Sequence, residues 1–112
     1  MATSQGSSDG VRTLRARSFE EAIAADEFVL VEFFTDWCGS CMQMDPLLEA
    51  LAADTDAAVL KVDIETHLET AIEYGGQRSP TFVLFADGRP VKQLSGKQTE
   101  TALRDLLEEY VG

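Results

Sequence analysis

Residues 29–41 read Val-Leu-Val-Glu-Phe-Phe-Thr-Asp-Trp-Cys-Gly-Ser-Cys, and this stretch contains both cysteines of the chain. Its first part is an apolar run rich in β-branched and aromatic residues, broken only by Glu32, which is typical of a buried central strand. A helical pattern of apolar residues follows from about Ser40 onward. The stretch therefore predicts a strand that passes through a short turn into a helix.

The two cysteines lie at the junction of the predicted strand and the predicted helix, with two residues between them. Cys38 falls at the helix N-terminus, where free amide N–H groups and the helix dipole stabilise a thiolate. Cys41 lies one turn further on and would face back toward Cys38. This placement predicts thiol–disulfide exchange, with Cys38 attacking and Cys41 resolving the mixed disulfide. Gly39 would let the turn close, and Ser40 would cap or continue the helix.

Other interpretations of the cysteine pair are a structural disulfide, a zinc site and two inert buried thiols. A disulfide across so short a loop removes little chain entropy, so it would stabilise the fold only weakly. Zinc usually takes four ligands, and besides the two thiols the chain offers only His67, on a different predicted helix. Inert thiols do not fit a position beside a glycine turn. Redox exchange is the favoured interpretation, and no metal is expected.

The length and composition suit a single domain: 112 residues, 45% of them hydrophobic, allow one modest core. Residues 1–10 are rich in Ser and Gly and have no apolar run, so we predict a disordered tail ahead of a domain at 11–112. The tail has no basic n-region or apolar h-region of a secretory signal, and no stretch approaches the roughly 18 apolar residues of a membrane span. These observations predict a cytoplasmic protein.

Acidic residues dominate the charge of the chain, with nine Lys and Arg against twenty Asp and Glu and a net charge of −11. Such a field repels nucleic acid and anionic membranes, so neither is expected as a partner. The acids are scattered and do not form one block, which predicts a solvated and solubilising surface. We expect a monomer.

The rest of the chain predicts alternating strands and helices. Predicted strands cover 11–16, 29–34, 57–64, 81–86 and 89–95, and predicted helices cover 18–26, 40 onward, 66–74 and 99–110. Capping boxes at 18–21 and 66–69 would open two of the helices, and Asp87-Gly88 would join the last two strands in a hairpin. Pro46 should kink the second helix, with Asp45 turned to solvent. This order predicts an α/β protein, with a mixed sheet and helices on both faces.

These motifs together resemble the thioredoxin family over about residues 11–112. Besides the apolar strand, the residues that carry the resemblance are Trp37-Cys38-Gly39-Ser40-Cys41, Pro46, 61–65, Tyr74-Gly75, Ser79-Pro80-Thr81 and Gly96. The resemblance implies the thioredoxin fold, with a central mixed five-stranded sheet of order 1-3-2-4-5 and four flanking helices. It also implies an active-site disulfide between Cys38 and Cys41, with Pro80 as a cis-proline against it.

The function implied by the resemblance is that of a general protein disulfide reductase, which carries electrons to disulfide-containing client proteins. A thioredoxin reductase, which is a flavin enzyme using NADPH or a similar donor, would re-reduce it, and no cofactor is expected on this chain. Clients would dock around Cys38 on a patch formed by Trp37, Gly39, Gly75, Ser79, Pro80, Thr81 and Gly96. Ser79 and Thr81 would give backbone hydrogen bonds to an extended client segment. The alternative for Trp37 is an ordinary core aromatic.

Three residues depart from the usual pattern of the family. Ser40 stands where proline is usual, Glu32 where a buried aspartate is usual, and Ser79 where isoleucine is common. Burial should raise the pKa of Glu32 and make it a proton shuttle for Cys41. Alternatively, Glu32 forms an ion pair with Lys61 on the neighbouring strand and serves packing alone. Ser40 is predicted to tune the reduction potential.

Three other functions remain open. A disulfide oxidase or isomerase would use the same chemistry but would need an oxidising compartment. A non-catalytic binding module with the same fold would not need both cysteines, and both are present. Iron–sulfur binding across a dimer, by paired Cys38 residues, would give a brown preparation.

Overall fold

The computed structural model describes residues 10–15 and 17–111. The strands are β1 (Val11–Thr13), β2 (Phe28–Phe34), β3 (Ala58–Asp63), β4 (Thr81–Ala86) and β5 (Arg89–Ser95). The helices are α1 (Phe19–Ala24), α2 (Gly39–Asp54), α3 (Leu68–Glu73) and α4 (Glu100–Val111). The predicted order of elements is confirmed. The tail predicted at 1–10 lies outside the described residues, except for Gly10.

The strands form one five-stranded sheet in the order β1-β3-β2-β4-β5, as the resemblance implied. β3 is parallel to both β1 and β2, whereas β4 is antiparallel to both β2 and β5. β2 is paired on both sides and covered on both faces, so residues 29–33 are all buried. This position explains why β2 is continuously apolar, apart from Glu32, and does not alternate.

Helices cover both faces of the sheet. On one face Phe33 of β2 packs with Phe19 of α1, and α3 also contributes to this core. On the other face Leu30 of β2 packs with Met44 of α2 and with leucines of α4. Because side chains alternate along a strand, Glu32 shares the face of Leu30 and lies on the side of the sheet covered by α2.

The first predicted capping box is confirmed and the second is wrong. At the start of α1 the Ser18 hydroxyl accepts the Glu21 N–H over 3.1 Å, and the Glu21 carboxylate accepts the Ser18 N–H over 3.2 Å. At the start of α3 the N-cap is His67, which makes no side-chain capping bond. Asp63 organises this turn instead, because its carboxylate accepts the Glu65 N–H over 2.9 Å and its carbonyl accepts the His67 N–H over 2.9 Å.

Two glycines end α3 where the sequence predicted. Gly75 has a φ of +71°, its N–H donates to the Ile72 carbonyl over 3.2 Å, and the Gly76 N–H donates to the Ala71 carbonyl over 2.7 Å. These are the two bonds of a Schellman cap, which favours glycine at the left-handed position. A Cβ atom on Gly76 would overlap the ring of Phe33, so this glycine lets the chain after α3 pack directly on β2.

The predicted hairpin turn is also confirmed. Asp87 and Gly88 join β4 to β5 with φ angles of +52° and +81°, which are the two positive values that a type I′ turn requires. Pro46 lies inside α2, as the sequence indicated. Within residues 10–15 and 17–111, no helix has both the length and the apolar character needed to cross a membrane.

Candidate active site

The two cysteines lie just after the carboxyl end of β2. Cys38 is the N-cap of α2, Cys41 lies in the first turn of that helix, and a disulfide joins them. The Cys41 N–H donates to the Cys38 sulfur over 3.0 Å, and the Cys38 N–H donates to the Thr35 carbonyl over 3.2 Å. The helix start thus holds the Cys38 sulfur where an amide donor and the helix dipole stabilise negative charge.

Solvent access distinguishes the two cysteines. Cys38 is 9% exposed and Cys41 is 1% exposed, while the adjacent Trp37 is 84% exposed. The core-aromatic alternative for Trp37 is therefore wrong. A disulfide approaching from outside would meet Cys38 first, because Cys41 is almost completely buried. Access thus favours Cys38 as the attacking atom.

The loop before β4 and the loop after β5 adjoin the cysteine loop. The hydroxyl oxygens of Thr35 and Ser79 lie 3.5 Å apart, which connects the cysteine loop to the Ser79–Pro80 segment. The Ser79–Pro80 peptide bond is cis, as the resemblance implied. The Gly96 N–H donates to the Pro80 carbonyl over 2.8 Å. Ser79, Pro80 and Gly96 are therefore brought together beside the cysteines, and Thr35 is a contact residue that the sequence analysis missed.

Two glycines of the predicted docking patch are exposed. Gly39 is the first residue of α2, and the space around its Cα is open. Gly75 lies in the turn after α3, where its carbonyl accepts a hydrogen bond from the side chain of Gln93 over 3.2 Å. Gln93 of β5 is thus a second contact that the sequence analysis did not include.

Thr81 occupies a different environment from the rest of the predicted patch. Its side chain is fully buried, and its hydroxyl donates to the Arg78 carbonyl over 2.6 Å. Its backbone is paired with Phe33 of β2 on one side and with Ser95 of β5 on the other. Because the sheet already engages this backbone, Ser79 is the better placed of the two residues to bond a client segment.

Glu32 is a buried carboxyl group without a hydrogen-bond partner. The side chain is 0% exposed, and neither carboxyl oxygen makes a hydrogen bond within the described part of the chain. Desolvation by burial raises the pKa of Glu32 from 4.5 to about 7, while the charge of Lys61 opposes the rise and that of Asp45 adds to it. The predicted rise and its cause are confirmed.

The direct ion pair between Glu32 and Lys61 is not formed. Lys61 lies opposite Glu32 in the pairing of β2 with β3, but its Nζ contacts Asp45 Oδ1 over 2.8 Å. The same Nζ lies 4.6 Å from the centroid of the Phe34 ring. Asp45 is partly exposed, as the sequence predicted, with 46% of its side chain accessible, but its carboxylate also bonds the Lys61 ammonium. Asp45 lies four residues after Cys41 and therefore on the same side of α2. This spacing is the sequence signal that would have placed Asp45 near Glu32 and Lys61.

Comparisons with known proteins agree with this geometry. The family model for thioredoxin matches residues 10–109. The chain belongs to the thioredoxin family. A thioredoxin of Alicyclobacillus acidocaldarius subsp. acidocaldarius is 42% identical over 102 residues, which cover 86% of this chain and 97% of that protein. A thioredoxin of Mycobacterium tuberculosis is 38% identical over 93 residues, which cover 81% of this chain and 80% of that protein.

Solved thioredoxin structures show the same fold. A mutant thioredoxin from Halobacterium salinarum NRC-1 aligns with a TM-score of 0.89 and 38% identity, over 97% of each chain. The thioredoxin of Schistosoma mansoni aligns with a TM-score of 0.82 and 28% identity, over 95% of this chain and 100% of the other. Together with the cysteine pair, these relatives support a protein-disulfide oxidoreductase.

Ser40 is the residue at which this thioredoxin-family chain departs from the usual proline between the cysteines. We expect Ser40→Pro to lower the reduction potential, because it removes an amide and a hydroxyl that can donate to the Cys38 thiolate of the reduced protein. The hydrogen bond that the Cys38 sulfur accepts here comes from Cys41, so the change should be modest. A tenfold change in the two-electron equilibrium is about 30 mV, and we expect a shift of about that size or less.

Equilibration with glutathione measures the potential of each Ser40 variant. Ser40→Ala is the matched control, because it removes the hydroxyl and keeps the amide. A potential that is unchanged or raised in Ser40→Pro would contradict hydrogen bonding as the cause and would leave the stiffness of the turn as the explanation.

Proposed function

We propose that this thioredoxin-family protein is a general protein disulfide reductase. The thiolate of reduced Cys38 attacks one sulfur of a client disulfide, which forms a mixed disulfide and releases the other client sulfur as a thiolate. Cys41 then attacks the Cys38 sulfur, which releases the second client sulfur and leaves the Cys38–Cys41 disulfide. The observation that carries the proposal is the cysteine pair at the start of α2, with Cys38 more accessible than Cys41.

Client docking is proposed for the surface around Cys38. The exposed ring of Trp37 offers an apolar contact directly before the nucleophile, and the Ser79–Pro80 and Gly96 loops lie next to the cysteine loop. An extended client segment could pair with the backbone at Ser79 in the manner of an added strand. Main-chain pairing is largely independent of client sequence, which suits a general reductase.

Glu32 is proposed as the proton acceptor for Cys41. Resolution needs Cys41 as a thiolate, yet this residue is buried and its thiol must lose a proton without direct access to bulk water. Glu32 lies on the face of the sheet covered by α2, and its pKa of about 7 lets it both take up and release a proton near neutral pH. A carboxylate with an ordinary pKa would be a weaker base.

Re-reduction is proposed to come from a thioredoxin reductase that uses NADPH or a similar donor. The chain itself would need no cofactor, since the electron pair is carried by the two sulfurs. We place this activity in residues 11–112 and expect a cytoplasmic monomer.

Insulin reduction tests the proposal. With dithiothreitol as donor, the protein should accelerate insulin precipitation, and with NADPH and a purified bacterial thioredoxin reductase it should consume NADPH in the presence of insulin. No acceleration in the first assay would indicate a binding module. Activity in the first assay, together with a glutathione equilibrium that favours the dithiol form, would indicate an oxidase or isomerase.

A further inference from the structure

The strand pairing places Glu32 and Lys61 side by side, yet their charged groups do not bond. Residues opposite each other on neighbouring strands point to the same face of a sheet, so the Lys61 side chain starts next to Glu32. A buried carboxyl group without a hydrogen bond is costly, and a nearby ammonium group would normally be drawn to it. The Lys61 Nζ instead lies 2.8 Å from Asp45 Oδ1 and over the ring of Phe34.

The charged groups that act on Glu32 come from two elements only within the described residues. β3 supplies Lys61, whose charge lowers the pKa of Glu32, and α2 supplies Asp45, whose charge raises it. On the other side of β2, β4 places the apolar Phe82 opposite Glu32. α4, which packs on the same face as α2, contributes apolar side chains such as Leu103. Desolvation is the main cause of the raised pKa of this carboxyl group, and Lys61 and Asp45 are the two charges that modify it.

We propose that Asp45 is a positioning residue for the exchange reaction: it holds the Lys61 ammonium away from Glu32 and so leaves the buried carboxyl unpaired and able to accept a proton from Cys41. The inference rests on the proposed role of Glu32 in the reductase. Asp45 itself contacts neither cysteine in this scheme and acts through Lys61.

The different solvation of Asp45, Lys61 and Glu32 lets Asp45 control where the Lys61 ammonium binds. The Asp45 side chain is 46% exposed, so its bond to Lys61 is a partly solvated contact of small net strength. A direct pair between Lys61 and the fully buried Glu32 would act in a lower dielectric and would favour the ionised carboxylate strongly. Holding Lys61 at Asp45 prevents that pair. One substitution at Asp45 should therefore release Lys61 and change the proton affinity of Glu32.

Asp45→Asn is the decisive variant, because it keeps the shape of the side chain and removes its charge. The titration of Glu32 is followed by carbon-13 NMR of its carboxyl group in the oxidised protein, in which the disulfide prevents Cys38 and Cys41 from titrating. We expect the midpoint to fall by about one pH unit, because an opposite charge within a few ångströms lowers a carboxyl pKa by about 1–3 units. Asp45→Glu keeps the charge and should restore most of the wild-type midpoint.

Two controls separate positioning from a simple change of charge. Glu49→Gln removes the same charge from an exposed position one turn further along α2 and should leave the Glu32 midpoint unchanged. In a Lys61→Met background, Asp45→Asn should shift the midpoint by less than half as much as in the wild-type background. An unchanged midpoint in Asp45→Asn, or an equal shift with and without Lys61, would overturn the proposal.

The kinetics of resolution distinguish this proposal from the proposed role of Glu32. In a single-turnover reaction with a disulfide client, the pH at which resolution is half-maximal should move down in Asp45→Asn, in step with the NMR midpoint. If the midpoint moves and the kinetic profile does not, Asp45 does position Lys61, and the role of Glu32 as proton acceptor is wrong. If neither moves, the positioning role is wrong.

Discussion

Replacing Cys38 with serine should abolish the reduction of client disulfides, whereas Cys41→Ser should trap clients as stable mixed disulfides with Cys38. The first variant lacks the thiolate that attacks. The second retains that thiolate at the more accessible position and lacks only the buried thiol that would attack the mixed disulfide. Insulin turbidity measures the loss of turnover in both, and non-reducing electrophoresis with mass spectrometry identifies the trapped adduct.

The controls for the cysteine variants lie in the same turn of the helix. Ser40→Ala changes a residue between the two cysteines and should retain turnover, since both sulfurs remain. Turnover by Cys41→Ser at the wild-type rate would contradict the assignment. Capture of clients by Cys38→Ser, in place of Cys41→Ser, would show that the two roles are reversed.

Glu32→Gln should remove a large part of the pH dependence of folding stability. The pKa of Glu32 is about 7 in the folded protein, against an ordinary value of 4.5. Between these values the unfolded chain has lost the proton that the folded protein keeps. The contribution of Glu32 to the free energy of unfolding is therefore fully present below about pH 4.5 and is lost as the pH rises through about 7. The loss is about 3 kcal/mol, because each unit between the two pKa values is worth about 1.4 kcal/mol.

Urea unfolding of the oxidised proteins at pH 5 and pH 8 measures this effect. Groups other than Glu32 contribute equally to the wild type and to Glu32→Gln, so the difference between the two pH dependences isolates the carboxyl group. The variant should be the more stable protein at pH 8 and should resolve mixed disulfides more slowly. Parallel pH dependences would contradict the prediction, and a less stable variant with unchanged kinetics would support a purely structural carboxyl group.

Much of this fold was determined by local chemistry that can be recognised in the sequence. The continuous apolar run of β2 predicted a strand covered on both faces, and Asp87-Gly88 predicted the hairpin because few other pairs adopt two positive φ angles. The capping box at Ser18 and Glu21 formed because its two partners are only three residues apart in the chain. The strand order was predicted from the family resemblance alone. The comparisons showed the family, and the sheet has that order.

The failed capping box shows where local patterns stop being decisive. Thr66 and Glu69 have the spacing of a box, but the carboxylate and carbonyl of Asp63 bind amides of the following turn and the helix begins only at Leu68. A capping motif contributes only about 1 kcal/mol, so a competing set of hydrogen bonds can displace it. The sequence offered both arrangements, and the path of the chain after β3 selected one.

The charge arrangement of the site was decided by tertiary structure alone. Lys61 has two acids within its reach, one beside it on β2 and one above it on α2, and the sequence indicated only the first, as the alternative to an unpaired Glu32. Parallel pairing brought Lys61 next to Glu32, while the packing of α2 brought Asp45 over the same strand. Asp45 keeps partial contact with water and Glu32 has none, so the ammonium bonds where desolvation is smaller. Solvation at the packed interface between helix and sheet, which no local pattern encodes, left the Glu32 carboxyl group without a hydrogen bond to any residue of 10–15 and 17–111.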